Sequence, residues 1–138
     1  IEKTSASPAG YTSMGNYLTE VYGDAYFAIG TDFINSEFQA LNRGSGERQV
    51  HRLENHNDLV DAFSENEPNI FYVGFEKASE SEELSDIITK EQRMANIGDD
   101  FRWWYKLLKM FYTIEMTPKE AYDGVIIVKE ATPTTVIE

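Results

Sequence analysis

The sequence predicts an α/β fold, namely a mainly parallel, three-layer-like sheet with flanking helices plus a short polar β-ribbon. Three apolar segments have the composition of buried strands, and helical patterns long enough to serve as crossovers separate them. A polar segment interrupted by a glycine-rich turn predicts the ribbon. An α+β arrangement with an antiparallel edge is the alternative.

The first predicted helix runs from Ser13 to Tyr22. Its apolar residues repeat at helical spacing, Ser13 is a typical N-cap, and Gly23 is a typical C-terminal stop. We expect the apolar face of this helix to lie on the sheet. Residues 1–12 are rich in Ser, Thr, Ala, Gly and Pro, which predicts a loop before a folded region of residues 13–138.

The predicted central strand is Ala25–Phe33, because aromatic and branched residues occupy both alternating sets of positions. Ser36–Asn42 and Gln49–Leu53 are shorter and more polar. They flank the turn-forming residues 43–47, so they are predicted to pair as a hairpin ribbon near the sheet edge.

A short helix is predicted to begin at Asn57 or Asp58 and to end near Phe63. Pro68 then marks the entry into a second apolar strand, because the residue before a proline avoids the helical region. This strand is expected to cover Asn69–Phe75 and to be buried.

Two longer helices are predicted next. Ser79–Ala95 is acidic at its start, as the helix dipole favours. Asp100–Tyr112 has an apolar stripe and, on its other side, a basic face formed by Arg102, Lys106 and Lys109. Such a face is typical of a solvated helix surface, and docking against acidic neighbours in the same protein is the alternative.

The last predicted elements are a short helix and a strand. Thr117 is a potential cap, Pro118 stands at the first helical position, and Glu120 stands at the third. Asp123 and the glycine after it are expected to end this helix. Val125–Val128 is then predicted to be a final buried strand.

Composition limits the class of protein. The chain has 138 residues, 24 acidic and 12 basic side chains, and a formal net charge of −12 at pH 7. The length predicts a single domain, and the charge excludes a general nucleic-acid binder, which needs a positive surface. No apolar run approaches the ~20 residues that span a membrane. Because cysteine is absent, disulfides and thiolate chemistry are excluded.

Acid–base and metal chemistry have little support in the sequence. The chain has two histidines, His51 and His56, and no metal-ligand spacing such as H-E-x-x-H. No glycine-rich phosphate motif follows a strand, and the turn at Gly44–Gly46 lacks the spacing of a nucleophile elbow. We therefore predict no metal and no cofactor in this segment, with surface or hydrogen-bonding roles for both histidines.

The candidate substrate-binding residues are Thr31, Asp32 and Phe33. They stand at the expected end of the central strand, and ligands of open α/β sheets gather at the carboxyl ends of strands. These residues are predicted to line one wall of a pocket, with a turn or capping role as the alternative.

Trp103 and Trp104 suggest a ligand-stacking hypothesis. Adjacent residues of a helix point about 100° apart, so the two rings cannot easily form one flat surface for ligand stacking. At least one of the two is therefore expected in the core.

Two segments carry a family resemblance. Residues 13–40 combine a Ser-Met-Gly helix start, the strand sequence YGDAYFAIGTDF and the polar sequence EFQA, and residues 122–134 contain YDGVIIV followed by Thr-Pro-Thr. They resemble the C-terminal part of the erythromycin esterase-like family, which includes proteins of succinoglycan biosynthesis. The resemblance is strong over residues 13–40 and weak between 43 and 115. Ser36 stands where the family usually has glycine, which could alter a turn.

The resemblance implies metal-independent ester hydrolysis, including macrolactone ring opening, by a parent enzyme. In that family a histidine activates water, and glutamates and an arginine assist. Those residues lie in earlier parts of the family sequence, and an A-H-N-x-H motif would fall immediately before Ile1. Since neither His51 nor His56 matches a family position, no catalytic residue is assigned to this segment.

The favoured hypothesis is therefore the C-terminal segment of a bacterial hydrolase, inactive on its own. The chain opens at Ile1 without an initiator methionine and stops after Glu138, as expected for a segment. Its expected partners are the N-terminal part of the parent and a small-molecule ester substrate. The sequence leaves open whether the parent is cytoplasmic or exported. The alternative is an independently folding carbohydrate- or protein-interaction module that binds through Trp103 or Trp104.

Overall fold

Two β-sheets with short helices around them form the fold, as described for residues 12–42 and 44–134 by a computed structural model. The predicted loop at residues 1–11 and the turn position Arg43 lie outside the described residues. The helices are α1 (Met14–Tyr22), α2 (Asp58–Ala62), α3 (Phe75–Ala78), α4 (Glu82–Thr89) and α5 (Pro118–Ala121). The strands are β1 (Ile29–Asn42), β2 (Glu47–Glu54), β3 (Ile70–Gly74), β4 (Gln92–Ala95), β5 (Thr113–Met116) and β6 (Gly124–Ala131). The predicted α/β class is confirmed.

The direction of pairing corrects the prediction of a mainly parallel sheet. The larger sheet has the order β2-β1-β6-β3, and of its three pairs only β1–β6 is parallel. The physical reason lies in the connection from β3 to β6, which leaves and returns at the same end of the sheet. The amide of Phe75 donates to the carbonyl of Asp123 at 2.9 Å, so β6 begins beside the end of β3 and must run in the opposite direction.

The predicted central strand and the first arm of the predicted ribbon form one continuous strand, β1. Its first half, Ile29–Ser36, pairs with β6, and its second half, Asn35–Asn42, pairs with β2. The ribbon is therefore an extension of the central strand and not a separate element. Gly46, with φ of 73°, provides the left-handed backbone of the turn between β1 and β2.

Two of the predicted helices are wrong in extent or in kind. The helix expected over residues 79–95 ends at Thr89, and its last part is strand β4, which pairs with β5. The helix expected over residues 100–112 is replaced by two 3-10 turns at 105–107 and 109–111. Ala95 and Thr113 are paired across the small sheet, so the chain between them must fold back on itself and has no room for one long helix.

Helix α1 has the predicted ends but not the predicted packing. Ser13 forms a capping box with Asn16, and Gly23 ends the helix with φ of 52°. No residue of α1 is buried, and Met14 and Val21 are 75% and 72% exposed. The expectation that its apolar face lies on the sheet is therefore wrong for the described residues, which provide no layer to cover that face.

The predicted starts of two short helices are confirmed, but the second apolar strand, β3, is not buried as expected, because alternate residues such as Ile70, 61% exposed, face away from the core. Asn57 caps α2, and its side chain accepts a hydrogen bond from the amide of Val60. Pro118 stands at the start of α5, although the Thr117 side chain makes no capping hydrogen bond. Among the described residues, no helix is both long enough and apolar enough to cross a bilayer.

The two faces of the larger sheet have different surroundings. The inner face packs on α2, α3 and α4 and contributes Ile34, Val73, Val125 and Ile127 to the main core. Residues that alternate with these point to the other side of the sheet. We call that side the open face and define it by Ile29, Thr31, Ile70, Tyr72 and Ile126. Ile70 is 61% exposed there, and Ile29 and Tyr72 are each 49% exposed.

An isoleucine-to-alanine substitution is expected to destabilise the protein much more on the inner face than on the open face. Ile127 is fully buried on the inner face, so Ile127→Ala should lower the free energy of unfolding by about 2 to 5 kcal/mol. Ile70→Ala, the matched control on the open face, should change it by less than about 1 kcal/mol because the side chain is already in water. Chemical denaturation of the two variants tests this, and equal losses would contradict the assignment of the faces.

Candidate functional site

The three predicted pocket residues lie at consecutive positions of β1 and have three different environments. Thr31 is exposed on the open face, Asp32 is 2% exposed and points into the protein, and Phe33 is half-buried against a second apolar cluster around Phe101. The premise that they end a strand is wrong, because β1 continues to Asn42.

Asp32 is the centre of a buried polar network. Its Oδ1 accepts hydrogen bonds from the Asn55 side chain at 2.9 Å and from the Phe33 amide at 2.8 Å, and its Oδ2 accepts one from the Asn57 side chain at 2.9 Å. The backbone of Ala95 in β4 provides a further hydrogen bond. One carboxylate therefore connects β1, the segment after β2, and the small sheet.

Burial and hydrogen bonding have opposite effects on the Asp32 carboxyl. Burial raises its pKa to about 6, although the hydrogen bonds from Asn57, Phe33, Ala95 and Asn55 act in the opposite direction. A carboxyl with this pKa can exchange a proton near neutral pH. The described residues enclose this carboxyl almost fully, and its hydrogen bonds position Asn55 and Asn57.

Asn55 and Asn57 extend this network. The Nδ2 of the fully buried Asn55 also donates to the Phe33 carbonyl at 3.1 Å, and its Oδ1 has no hydrogen-bond partner among the described residues. The Oδ1 of Asn57 accepts from the amide of Val60, so the same side chain caps α2 and contacts Asp32. Sequence reasoning identified Asn57 as a cap but missed Asn55, for which no motif exists.

The two histidines have separate environments. His51 is 9% exposed between the rings of Phe38 and Phe101, and burial together with the charge of Lys106 lowers its pKa. His56 is on the surface within 3.2 Å of Glu54 and 3.0 Å of Asp61, and its pKa is raised, chiefly because its ring hydrogen-bonds to the Asp61 carboxylate. In residues 12–42 and 44–134, no group of three His, Asp or Glu side chains could hold a metal ion.

A polar cavity of about 170 Å³ lies where β6 ends beside the middle of β1. This is the carboxyl end of a strand in the parallel pair, the position where α/β sheets bind ligands. Asn35 donates to Glu130 at 2.7 Å, and Arg52 pairs with Glu37. The residues that line it are Asn35, Ser36, Glu37, Arg52, Glu130, Ala131 and Thr132, so Thr31, Asp32 and Phe33 are not among them.

The two tryptophans do not form one platform. Trp104 makes edge contacts with Tyr105 and Phe111, at ring-centroid distances of 4.6 and 5.0 Å. Trp103 is 68% exposed. The expectation that at least one of them lies in the core is not met, because Trp104 is only half-buried and packs outside both apolar clusters.

The raised pKa of Asp32 predicts how stability depends on pH. Between about pH 4 and 6 the folded chain holds a proton on Asp32 that the unfolded chain releases, so this residue stabilises the fold as pH falls through 6. The free energy of unfolding of the unmodified chain relative to Asp32→Asn should therefore rise by up to about 3 kcal/mol from pH 7 to pH 4. The exposed Asp86→Asn is the matched control and should show no such change. If the free energy of unfolding of the unmodified chain instead falls relative to that of Asp32→Asn on acidification, the hydrogen bonds outweigh burial.

Comparisons with known proteins agree on one family. The family model described as erythromycin esterase matches residues 1–131. A crystal structure of a Bacillus cereus protein superposes with a TM-score of 0.70 at 18% identity, covering 100% of this chain and 33% of that one. A second structure, of a succinoglycan biosynthesis protein, gives a TM-score of 0.70 at 11% identity and covers 91% of this chain and 29% of that one. No curated protein sequence matches significantly.

These similarities define fold and family. At such low identities the two structures support the fold alone, and the chain spans about a third of their length. The family model covers nearly the whole sequence, including the first segment that carries the resemblance and the second as far as residue 131. The chain therefore belongs to the erythromycin esterase family.

Proposed function

We propose that this chain is the C-terminal segment of an erythromycin esterase-like hydrolase, in which it supplies sheet strands and one wall of the substrate pocket. The reaction of the parent is then metal-independent hydrolysis of a small-molecule ester. The observation that carries the proposal is the open face, which is too apolar to be the solvated surface of a complete protein.

The open face has the composition of a buried layer. Ile29 on β1 and Ile70 and Tyr72 on β3 lie on the same face of the sheet, on either side of β6, and each is about half exposed or more. The matched structures are about three times as long as this chain, so a parent of that size has the residues to cover the face.

Gly124 supports the same interpretation. A Cβ atom at this position would come within 2.7 Å of the Tyr72 ring, so the absence of a side chain lets the ring lie flat across β6. A tyrosine ring flat on a sheet presents a smooth apolar surface on which a helix of the parent can pack.

Within this proposal, Thr31, Asp32 and Phe33 keep the role of a pocket wall, but with separate tasks. Thr31 faces the covering layer from the open face, and its hydroxyl is the group that a ligand can reach. Asp32 holds the backbone of β1 through its hydrogen bonds in the interior, and Phe33 holds it by packing against the apolar cluster around Phe101. The nearby cavity at the end of β6 adds the Arg52 and Glu130 side chains to the same edge of the sheet.

We expect that the chain does not carry out the reaction alone. By the family resemblance the water-activating histidine belongs to the N-terminal part of the parent. His51 is enclosed by aromatic rings, and His56 is paired with carboxylates on the surface, so neither has the environment of that base.

One observation favours a second candidate, an interaction module. Trp103 is 68% exposed, and exposed tryptophan is enriched at binding surfaces. This candidate requires no covering layer and predicts binding by the chain alone.

Hydrolysis assays separate the two candidates. The 138-residue chain should show no turnover of simple aryl esters or of a macrolactone, whereas a parent containing the N-terminal part should hydrolyse its ester, because the water-activating group is supplied there. Circular dichroism of the chain confirms that the lack of turnover is not a failure to fold. Turnover by the chain at a rate comparable to that of the parent would overturn the proposal.

A further inference from the structure

One segment of the chain has a charge opposite to that of the rest. Residues 101–114 contain three cations and no carboxylate, in a protein with a net charge of −12. In residues 12–42 and 44–134, Arg48, Arg52, Lys77, Lys90 and Arg93 pair with carboxylates, and no such pair involves the cations of this segment, Arg102, Lys106 and Lys109. The Nζ of Lys109 donates to the carbonyl of His56 at 2.8 Å, but that carbonyl carries no net charge to neutralise it.

The same segment exposes large apolar side chains beside those cations. Trp103, Leu107 and Met110 are 68%, 67% and 67% exposed, and Leu108 is 53% exposed. We call this surface of residues 102–110 the aromatic-basic turn. A soluble surface rarely gathers so many apolar side chains within so few residues unless they contact something.

A rigid base holds these side chains outward. Beneath them the rings of Tyr105 and Phe111 stack at 5.0 Å with an interplanar angle of 16°, and Trp104 contacts both rings edge-on. At the two ends, Phe101 and Tyr112 are 1% and 4% exposed in the second apolar cluster. The outward side chains are therefore presented by a packed support and not by a loose loop.

Part of the backbone in and just after the aromatic-basic turn forms local hydrogen bonds. The amides of residues 105, 107, 108, 111 and 112 all donate to carbonyls between residues 102 and 109. These hydrogen bonds lower the cost of placing irregular backbone at an apolar boundary, where each unsatisfied amide is costly.

We propose that the aromatic-basic turn docks on the surface of an anionic lipid bilayer. Trp103 fits the headgroup level, where tryptophan is enriched, and Leu107, Leu108 and Met110 fit the upper acyl region. Lys106 and Lys109 lie between these residues in sequence and are exposed, so they can reach lipid phosphates. The docking does not depend on the hydrolase assignment.

The net charge of the whole chain does not prevent this docking. At physiological ionic strength the Debye length is about 8 Å, so carboxylates on distant faces are screened from the bilayer. The local charge of residues 101–114 determines the attraction at contact. A bilayer also accepts a protruding set of side chains without a matching groove, which a protein partner would have to provide.

Vesicle binding tests the proposal. The chain should cosediment with vesicles of phosphatidylcholine that contain roughly one third phosphatidylglycerol, far less with phosphatidylcholine alone, and less as salt is raised. The double substitution Lys106→Gln and Lys109→Gln should lower the partition coefficient about 25-fold, since each lysine contributes a factor of roughly five. Trp103→Ser with Leu107→Ser should abolish measurable binding.

The matched control is Met14→Ser with Val21→Ser on α1. These side chains are at least as exposed, but α1 itself contains no Lys or Arg, so binding should be unchanged. All the substituted side chains are on the surface, and circular dichroism verifies the fold of each variant. Equal binding to neutral and anionic vesicles, or binding that survives Trp103→Ser with Leu107→Ser, would overturn the proposal. Concentration-dependent dimerisation without vesicle binding, removed by the same pair, would overturn it in favour of a second copy.

Discussion

Strand β6 lies between β1 and β3, and the larger sheet depends on its backbone hydrogen bonds to both. Its pairing with β1 is parallel and its pairing with β3 is antiparallel. Through these two pairings β6 connects β1 to β3 and so to the helices that flank β3 in the sequence. Val125 and Ile127 are fully buried on its inner side and anchor the main core. Without β6 the long strand β1 would keep only its pairing with β2.

This arrangement leaves the sheet with two unequal faces. On the inner side, apolar packing surrounds the Asp32 network, whose hydrogen bonds fix the start of β1 against the segment that leads into α2. On the other side, Ile70, Tyr72 and Ile29 form an apolar layer with solvent against it. A family whose matched structures are three times as long offers a simple explanation, since further chain can cover that layer. The pocket wall that we propose is then formed between two layers.

Much of the local structure could be predicted because its causes are local. Pro68 and Gly124 bound the apolar strands β3 and β6, and Asn57 and Pro118 mark the helix starts. The direction of the sheet could not be predicted, because it depends on the contact of Phe75 with Asp123, two residues far apart in sequence. Strand β4 has only four residues, too few for a periodic signal inside an apparent helix. Asp32 was selected for a supposed strand end, whereas its importance comes from Asn55 and Asn57, which no spacing rule connects to it.

The central claim is that the open face is covered in a longer parent, and hydroxyl-radical footprinting tests it most directly. Mass spectrometry would compare the oxidation of Tyr72 in the 138-residue chain and in the parent, with the exposed Trp103 as the internal reference. The account predicts strong labelling of Tyr72 in the chain and protection of Tyr72 in the parent, relative to Trp103 in each. Equal labelling of Tyr72 in the two proteins would contradict it.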